Sequence, residues 1–207
     1  MVWTVFFMFK LLKLLLVAAL ILGAFRLGTV VRDSQVLRDE IIRLHVVGAS
    51  DSEEDQAVKL QVRDAVIDLL EKTMTEVESK VDAKAFLQAH LDEIVNAANA
   101  VLDQAGLEER VTVTLTEEEF DTREYDTFSL PAGIYDSLRI VIGEGEGRNW
   151  WCVVFPSLCL PKESFEAEAV GSGFSDTLTD TLGNNGEYEI RFWVLDQIGK
   201  IRNWFHR

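Results

Sequence analysis

The stretch "IIRLHVVGASDSEEDQAVKLQVRDAVIDLLEK", residues 41–72, decides the fold class. Its first seven residues, Ile41 to Val47, are rich in β-branched and apolar side chains with partial alternation, which predicts a strand ending at Gly48. A helix start follows at once. Ser50 and Ser52 are both able to cap it, Glu53 lies three residues after Ser50 as in a capping box, and Glu53, Glu54 and Asp55 suit the positive end of the helix dipole. Val58, Val62, Ala65, Val66 and Leu69 then share one helical face. A strand leading directly into an amphipathic helix requires a sheet with helices packed on it.

Working outward, "DAKAFLQAHLDEIVNAANAVLDQAG", residues 82–106, keeps the helical period through Phe86, Leu87, Leu91, Ile94, Val95, Ala98, Val101 and Leu102, and Gly106 supplies a stop. The spacing predicts one helix here. In "RVTVTLTEEEF", residues 110–120, Val111, Val113 and Leu115 alternate with threonines as in a half-buried strand. "DSLRIVIGEGEGRNWWCVVFP", residues 136–156, reads as two strands, Leu138–Ile142 and Asn149–Phe155, joined by a glycine-rich hairpin turn. Residues 171–186 carry loop composition. In the final segment Ile190, Val194, Ile198, Ile201 and Phe205 fall at helical spacing and predict a C-terminal helix, with a strand at its start as the alternative. The order indicates an α+β fold: a mostly antiparallel sheet, two consecutive helices packed on it, and a C-terminal helix.

The chain has 207 residues, 48% of them hydrophobic, enough for one ordinary domain with a core. Its N-terminus holds Lys10 and Lys13 ahead of an unbroken apolar run from Leu14 to Phe25. As a helix this run covers roughly 18 Å, against about 30 Å of bilayer hydrocarbon, and so suits the apolar region of an export signal. If Val2 to Phe25 inserted together, Lys10 and Lys13 would snorkel or each cost about 2.5–3.5 kcal/mol. Leu22-Gly23-Ala24 is a mediocre cleavage site, so cleaved signal and retained membrane anchor both stay open. The expected organisation is a signal peptide or anchor over residues 1–31 and a single extracytoplasmic domain over residues 32–207.

The net charge is −15, and four basic residues precede the first acid, Asp33. A body this acidic has no basic patch large enough to neutralise a phosphate backbone, which argues against nucleic acid as a partner. Catalytic and cofactor signals are weak. "GEGEG", Gly143–Gly147, follows a strand, but no helix start comes after it and Glu144 and Glu146 would repel a phosphate. His45, His90 and His206 are scattered, and Cys152 and Cys159 are too few for structural zinc, so no metal or other cofactor is expected. The carboxylates Asp51, Glu53, Glu54 and Asp55 are explained by their place at a helix start. No G-x-S-x-G or H-E-x-x-H pattern occurs.

"GEGRNWWCVVFPSLCLP", residues 145–161, is the exception. Cys152 and Cys159 sit in a chain with an export segment, and the six residues between them include Pro156, which allows the chain to reverse. A disulfide is favoured, with two buried thiols as the alternative. Trp150 and Trp151 are consecutive in a strand and point to opposite faces, one towards the core and one free to meet a partner.

Two separated blocks, "IRLHVVGASDSEEDQAVKLQVRD" (residues 42–64) and "FSLPAGIYDSLRIVIGEGEGRNWWCVVFPSLC" (residues 128–159), together resemble the stage II sporulation protein R family of endospore-forming bacteria. They stand in the family's order and follow an N-terminal export segment. The residues carried over are Arg43, Ser50, Asp51, Asp55, Gln56, Lys59, Arg63 and Asp64 in the first block. In the second they are Pro131, Gly133, Tyr135, Gly143, Gly145, Gly147, Asn149, Trp150, Trp151, Cys152, Phe155, Pro156 and Cys159. Ser157 stands where a second proline is expected, and "FDTR" near Phe120 departs from a proline-bearing version.

The resemblance implies a secreted signalling protein, not an enzyme, acting in the septal intermembrane space. Its partner would be a membrane-embedded aspartic protease of the mother cell, which then cleaves the pro-form of sporulation sigma factor E. Gln56, Lys59 and Arg63, on one side of the first helix, join Asn149, Trp150 and Trp151 as the expected partner-binding residues. The alternative is an exported cell-wall glycan-binding protein or hydrolase, with tryptophans stacked on sugar and Asp51 or Glu54 as acid and base.

Overall fold

The structure, a computed structural model, describes residues 2–124 and 129–156. Its elements in order are α1 (Val2–Glu40), β1 (Ile42–Val47), α2 (Glu53–Thr73), α3 (Lys80–Ala89), α4 (Leu91–Gln104), β2 (Val111–Phe120), β3 (Arg123–Glu124), β4 (Ser129–Leu130), β5 (Gly133–Ile142) and β6 (Asn149–Phe155). The class is α+β, with a four-stranded sheet in the order β2-β5-β1-β6 and a two-stranded β3-β4 ribbon. β2 and β6 are antiparallel to their neighbours, whereas β1 and β5 run parallel. The sheet is therefore mixed, with antiparallel pairs predominating.

β1 occupies the centre, and all six of its residues are buried. Successive strand residues face opposite sides. Ile42, Leu44 and Val46 join Val111, Leu138, Ile140, Ile142, Cys152 and Val154 under Val58, Val62, Val66, Leu70, Leu87, Ile94, Ala98 and Leu102 of the helices. Arg43, His45 and Val47 face the other side. The apolar run in "IRLHVV" thus belongs to an internal strand, and its two polar residues lie together on one face.

Two expectations need correction. Residues 143–148 do not close a hairpin, because β1 lies between β5 and β6 and pairs with both. The predicted helix over residues 82–106 is two helices, broken at His90 (φ −113°, ψ 17°). There the ring stacks on Phe86 at 4.0 Å and Nδ1 lies 2.8 Å from the Phe86 carbonyl, which also accepts the His90 amide at 3.1 Å. The helices after β1 are accordingly three among the described residues. The polar residues before β1 belong to α1, which runs to Glu40.

Other local signals hold. Ser52 is the N-cap of α2 and accepts from the Asp55 amide. α4 ends in a Schellman motif: Gly106 has φ +73° and donates to Asp103 O, and Leu107 donates to Leu102 O. At the opposite end of the sheet from Gly48, Lys80 Nζ donates to Arg38 O (2.5 Å) and pairs with Asp136 (2.8 Å), which also takes Lys84 Nζ (2.5 Å). No helix among the described residues is long and apolar enough to cross a membrane. Residues 171–186 and the C-terminal segment expected to be helical lie outside the described residues.

Candidate functional site

The two loops at the C-terminal end of β1 are built from the two sequence blocks singled out above, and they lock together. After Val47 the chain turns through Gly48–Ser52 into α2, and across the sheet the loop 143–148 leads into β6. Gly147 donates its amide to Gly48 O (2.9 Å), Glu146 donates to Ala49 O (3.2 Å), and the Arg148 amide donates to Asp51 Oδ1 (2.7 Å). An added Cβ on Gly147 would overlap the backbone of Ser50, so this approach requires glycine there, whereas one on Gly48 would displace only the end of the Gln56 side chain, 2.8 Å away at Nε2. Gly143 and Gly145 have φ +57° and +69°.

Beneath the two loops lie two residues expected to face a partner. Gln56 Nε2 donates to Ser50 O (2.8 Å), and its Oε1 accepts from Lys59 Nζ (2.5 Å). Lys59 is buried at 4% exposure and also donates to Arg148 O (2.9 Å). Burial lowers its pKa below 10.5, with Arg148 and Arg63 adding to the effect and Asp51 opposing it. Both side chains point inward and tie the first loop to the second.

Arg63, one turn further along α2, reaches the surface. Its guanidinium lies 4.4 Å from the centroid of the Trp150 ring and it pairs with Asp64 (2.6 Å). Trp150 is 37% exposed, on the helix side of β6. Asn149 begins β6, with its side-chain oxygen 3.0 Å from His45 Nε2. Trp151 is half-buried on the opposite face, stacked on His45 at 3.7 Å and edge-on to Phe120 at 5.0 Å. The two tryptophans thus divide between faces as their adjacency requires, and Trp150, beside Arg63, is the more exposed of the two.

The face away from the helices holds a second group that periodicity did not single out. Arg43 is fully buried, its guanidinium 4.0 Å from the Phe120 ring and 5.3 Å from that of Tyr135. His45 meets Glu118, and Glu118 meets Arg139 (3.4 Å). The one sequence signal for it was the polar alternation of Arg43 and His45 inside an apolar strand. Glu118 stands 73 positions from His45 and could not be matched to it by spacing.

Asp51 and Glu54 are exposed; Asp51 is engaged with Arg148, and the Asp55 carboxylate accepts from Ser50 Oγ (2.5 Å). Cys152 is buried at 8% exposure, and there is no free cysteine among the described residues. Cys159 lies outside the described residues. No group of side chains suited to a metal ion occurs among the described residues.

The family model described as Stage II sporulation protein R matches residues 38–164, a span that contains β1, α2–α4, both interlocked loops and β6. The chain is 35% identical over 124 residues to Stage II sporulation protein R of Bacillus subtilis (strain 168). That alignment covers 60% of this chain and 55% of the relative, so the chain spans about half the length of the curated protein it matches. No solved structure matches the chain.

Proposed function

This chain belongs to the stage II sporulation protein R family, and from that membership we propose that it is an exported signal that activates a membrane-embedded aspartic protease of the mother cell. The protease then cleaves the pro-form of sporulation sigma factor E. The protein works in this reading as a ligand, in the septal intermembrane space, and carries out no chemistry itself. The apolar run Leu14–Phe25 behind Lys10 and Lys13 takes the body across the forespore membrane, whether it is later removed or retained as an anchor.

The observation that carries the reading is the union of the two family blocks into one surface. The loops 48–52 and 143–148 hold each other through backbone bonds and the bond between Gln56 and the buried Lys59, and they present Trp150 under Arg63 at their rim. A rigid aromatic with a neighbouring guanidinium is the composition of an interface anchor, since little side-chain entropy is lost on docking. Arg63 and Trp150 make the contact; Gln56, Lys59 and Asn149 hold it in place. A Cys152–Cys159 disulfide braces the strand behind it. That pairing is supported by the lack of a free cysteine among the described residues and by the presence of one other cysteine in the sequence.

The test is processing of the pro-sigma factor in a host without sporulation genes, co-expressing the cognate protease with or without an exported form of this chain. Processing that requires the chain, and that is lost in W150A while the variant remains folded, is the expected result. An intact protease that stays inactive beside folded, exported protein would refute the activating role.

A further inference from the structure

The helices α2, α3 and α4 all pack on the sheet face that carries Leu44, Leu138 and Ile140. Alternation places Arg43, Phe120, Tyr135, Ser137 and Val153 together on the other face. This second face is hidden from water as well. Arg43 and Ser137 are fully buried, and Phe120, Tyr135 and Val153 are each exposed by 3% or less. A sheet buried on both sides requires a covering layer on each. Among the described residues, Arg123 of β3 lies over Trp151 at 5.6 Å, Arg38 at the end of α1 packs against Gly133, and the Pro131 carbonyl accepts the Tyr135 hydroxyl at 2.7 Å. These are contacts from short segments, and no helix of the α2–α4 layer reaches this side.

Three observations point to the cover. The burial is that of a single chain, so no second copy is needed to account for it. Residues 125–128 only join β3 to β4, whereas residues 157–207 leave the sheet after Phe155, which pairs with Ile42 next to Arg43. The chain therefore departs at the end of the sheet where Arg43 and Tyr135 lie. Within it, residues 171–186 have loop composition, but Ile190, Val194, Ile198, Ile201 and Phe205 share one side at helical spacing, with Asp196, Lys200 and Arg207 on the other. The charges fit too. The hidden face holds Arg43 and Arg139 against Glu118, a guanidinium taken out of water requires acceptors around it, and the acids Glu187 and Glu189 stand just ahead of the apolar stripe.

We propose that residues 187–207 dock across the sheet face of Arg43, Tyr135 and Val153 and form the layer opposite α2–α4. The apolar stripe covers Phe120, Tyr135 and Val153, and Glu187 and Glu189 offset the buried arginine. The family match ends at residue 164, so this layer is added from outside the matched span. The aromatic residues of the tail are then used on the body and not on a membrane. Trp151, on the covered face, is withdrawn from partner contact, which leaves Trp150 and Arg63 as the open rim. The inference concerns packing within one chain and stands or falls independently of the protease.

The test is photo-cross-linking in the full chain. Thr116→p-benzoylphenylalanine and, in a separate variant, Trp151→p-benzoylphenylalanine flank Arg43 from the β2 and β6 sides of the hidden face, and Glu53→p-benzoylphenylalanine at the start of α2 is the control. Irradiation followed by peptide mass spectrometry is expected to join both face positions to peptides within residues 187–207 of the same chain, and the control position to none of them. Ile198→Asp, in the apolar stripe, should reduce the product to the level of the control, whereas Lys200→Glu, on the other side, should leave it unchanged. A dimer-sized product would put a second copy on the face, and cross-links confined to residues 125–128 or 157–186 would give the cover to another segment. Either result overturns the proposal, and so does a folded chain whose face positions yield no product. If Ile198→Asp does not fold, the cross-links of the otherwise unaltered chain decide the question.

Discussion

Lys59→Met gives the most direct test of the interlock. The substitution keeps the length and the apolar stem of the side chain and removes the ammonium, which leaves Gln56 Oε1 with a lost donor and Arg148 O with the Gly48 amide alone at 3.5 Å. Hydrogen bonds to a charged group contribute about 1.5–3 kcal/mol each, while the buried charge itself carries a desolvation cost that methionine avoids. The net expected loss is about 2 kcal/mol, roughly 4–8 °C in Tm for a body of this size. Urea denaturation measures the stability, and amide hydrogen exchange of Gly147, which donates to Gly48 O, measures the loop. The pH dependence adds a signature. Burial lowers the Lys59 pKa from 10.5 in the folded state, so the unfolded chain holds this proton to higher pH, and the group makes stability rise with pH between the two values. That rise should be absent from K59M. Stability within about 0.5 kcal/mol of the parent, together with unchanged exchange at Gly147, would show that the ammonium does not hold the loops.

The remaining expectations concern the rim, the far end of the sheet and the glycine contact. Trp150→Ala should cost about 2 kcal/mol or more of binding to the protease by titration and little folding stability, whereas Arg63→Ala should remove about 0.5–1 kcal/mol through the lost cation–π contact. At Asp136, burial raises the carboxyl pKa but the Lys80 and Lys84 hydrogen bonds and charges outweigh it and hold it below 3.8. Its stabilisation is therefore present above that value and lost as pH falls through the lower, folded-state one. Asp136→Asn should cost about 1–2 kcal/mol at neutral pH and remove this part of the acid unfolding slope followed by circular dichroism. Gly147→Ala should destabilise by about 1–3 kcal/mol in thermal melts, since the new methyl meets the Ser50 carbonyl and the backbone has to shift.

What the sequence determined by itself was local. The strand at residues 42–47, the Ser52 cap and acidic first turn of α2, the Gly106 stop and the alternation in β2 all rest on signals within a few residues, where sterics and backbone hydrogen bonding act without help. The division of Trp150 and Trp151 between faces follows in the same way from the pleat. The break at His90 was hidden because Phe86 and Leu91 keep the helical period on both sides of it. Tertiary structure decided the rest. Strand order is a choice among long-range pairings, so β1 could enter between β5 and β6 and convert an apparent hairpin turn into a clasp around Gly48 and Ser50. That insertion buries Lys59 under the Arg148 carbonyl and brings Glu118 and Asn149 to the two nitrogens of His45. A polar stripe on a helix reads the same from sequence whether water, a partner or a second loop of the same chain covers it, and only the packed sheet distinguishes them.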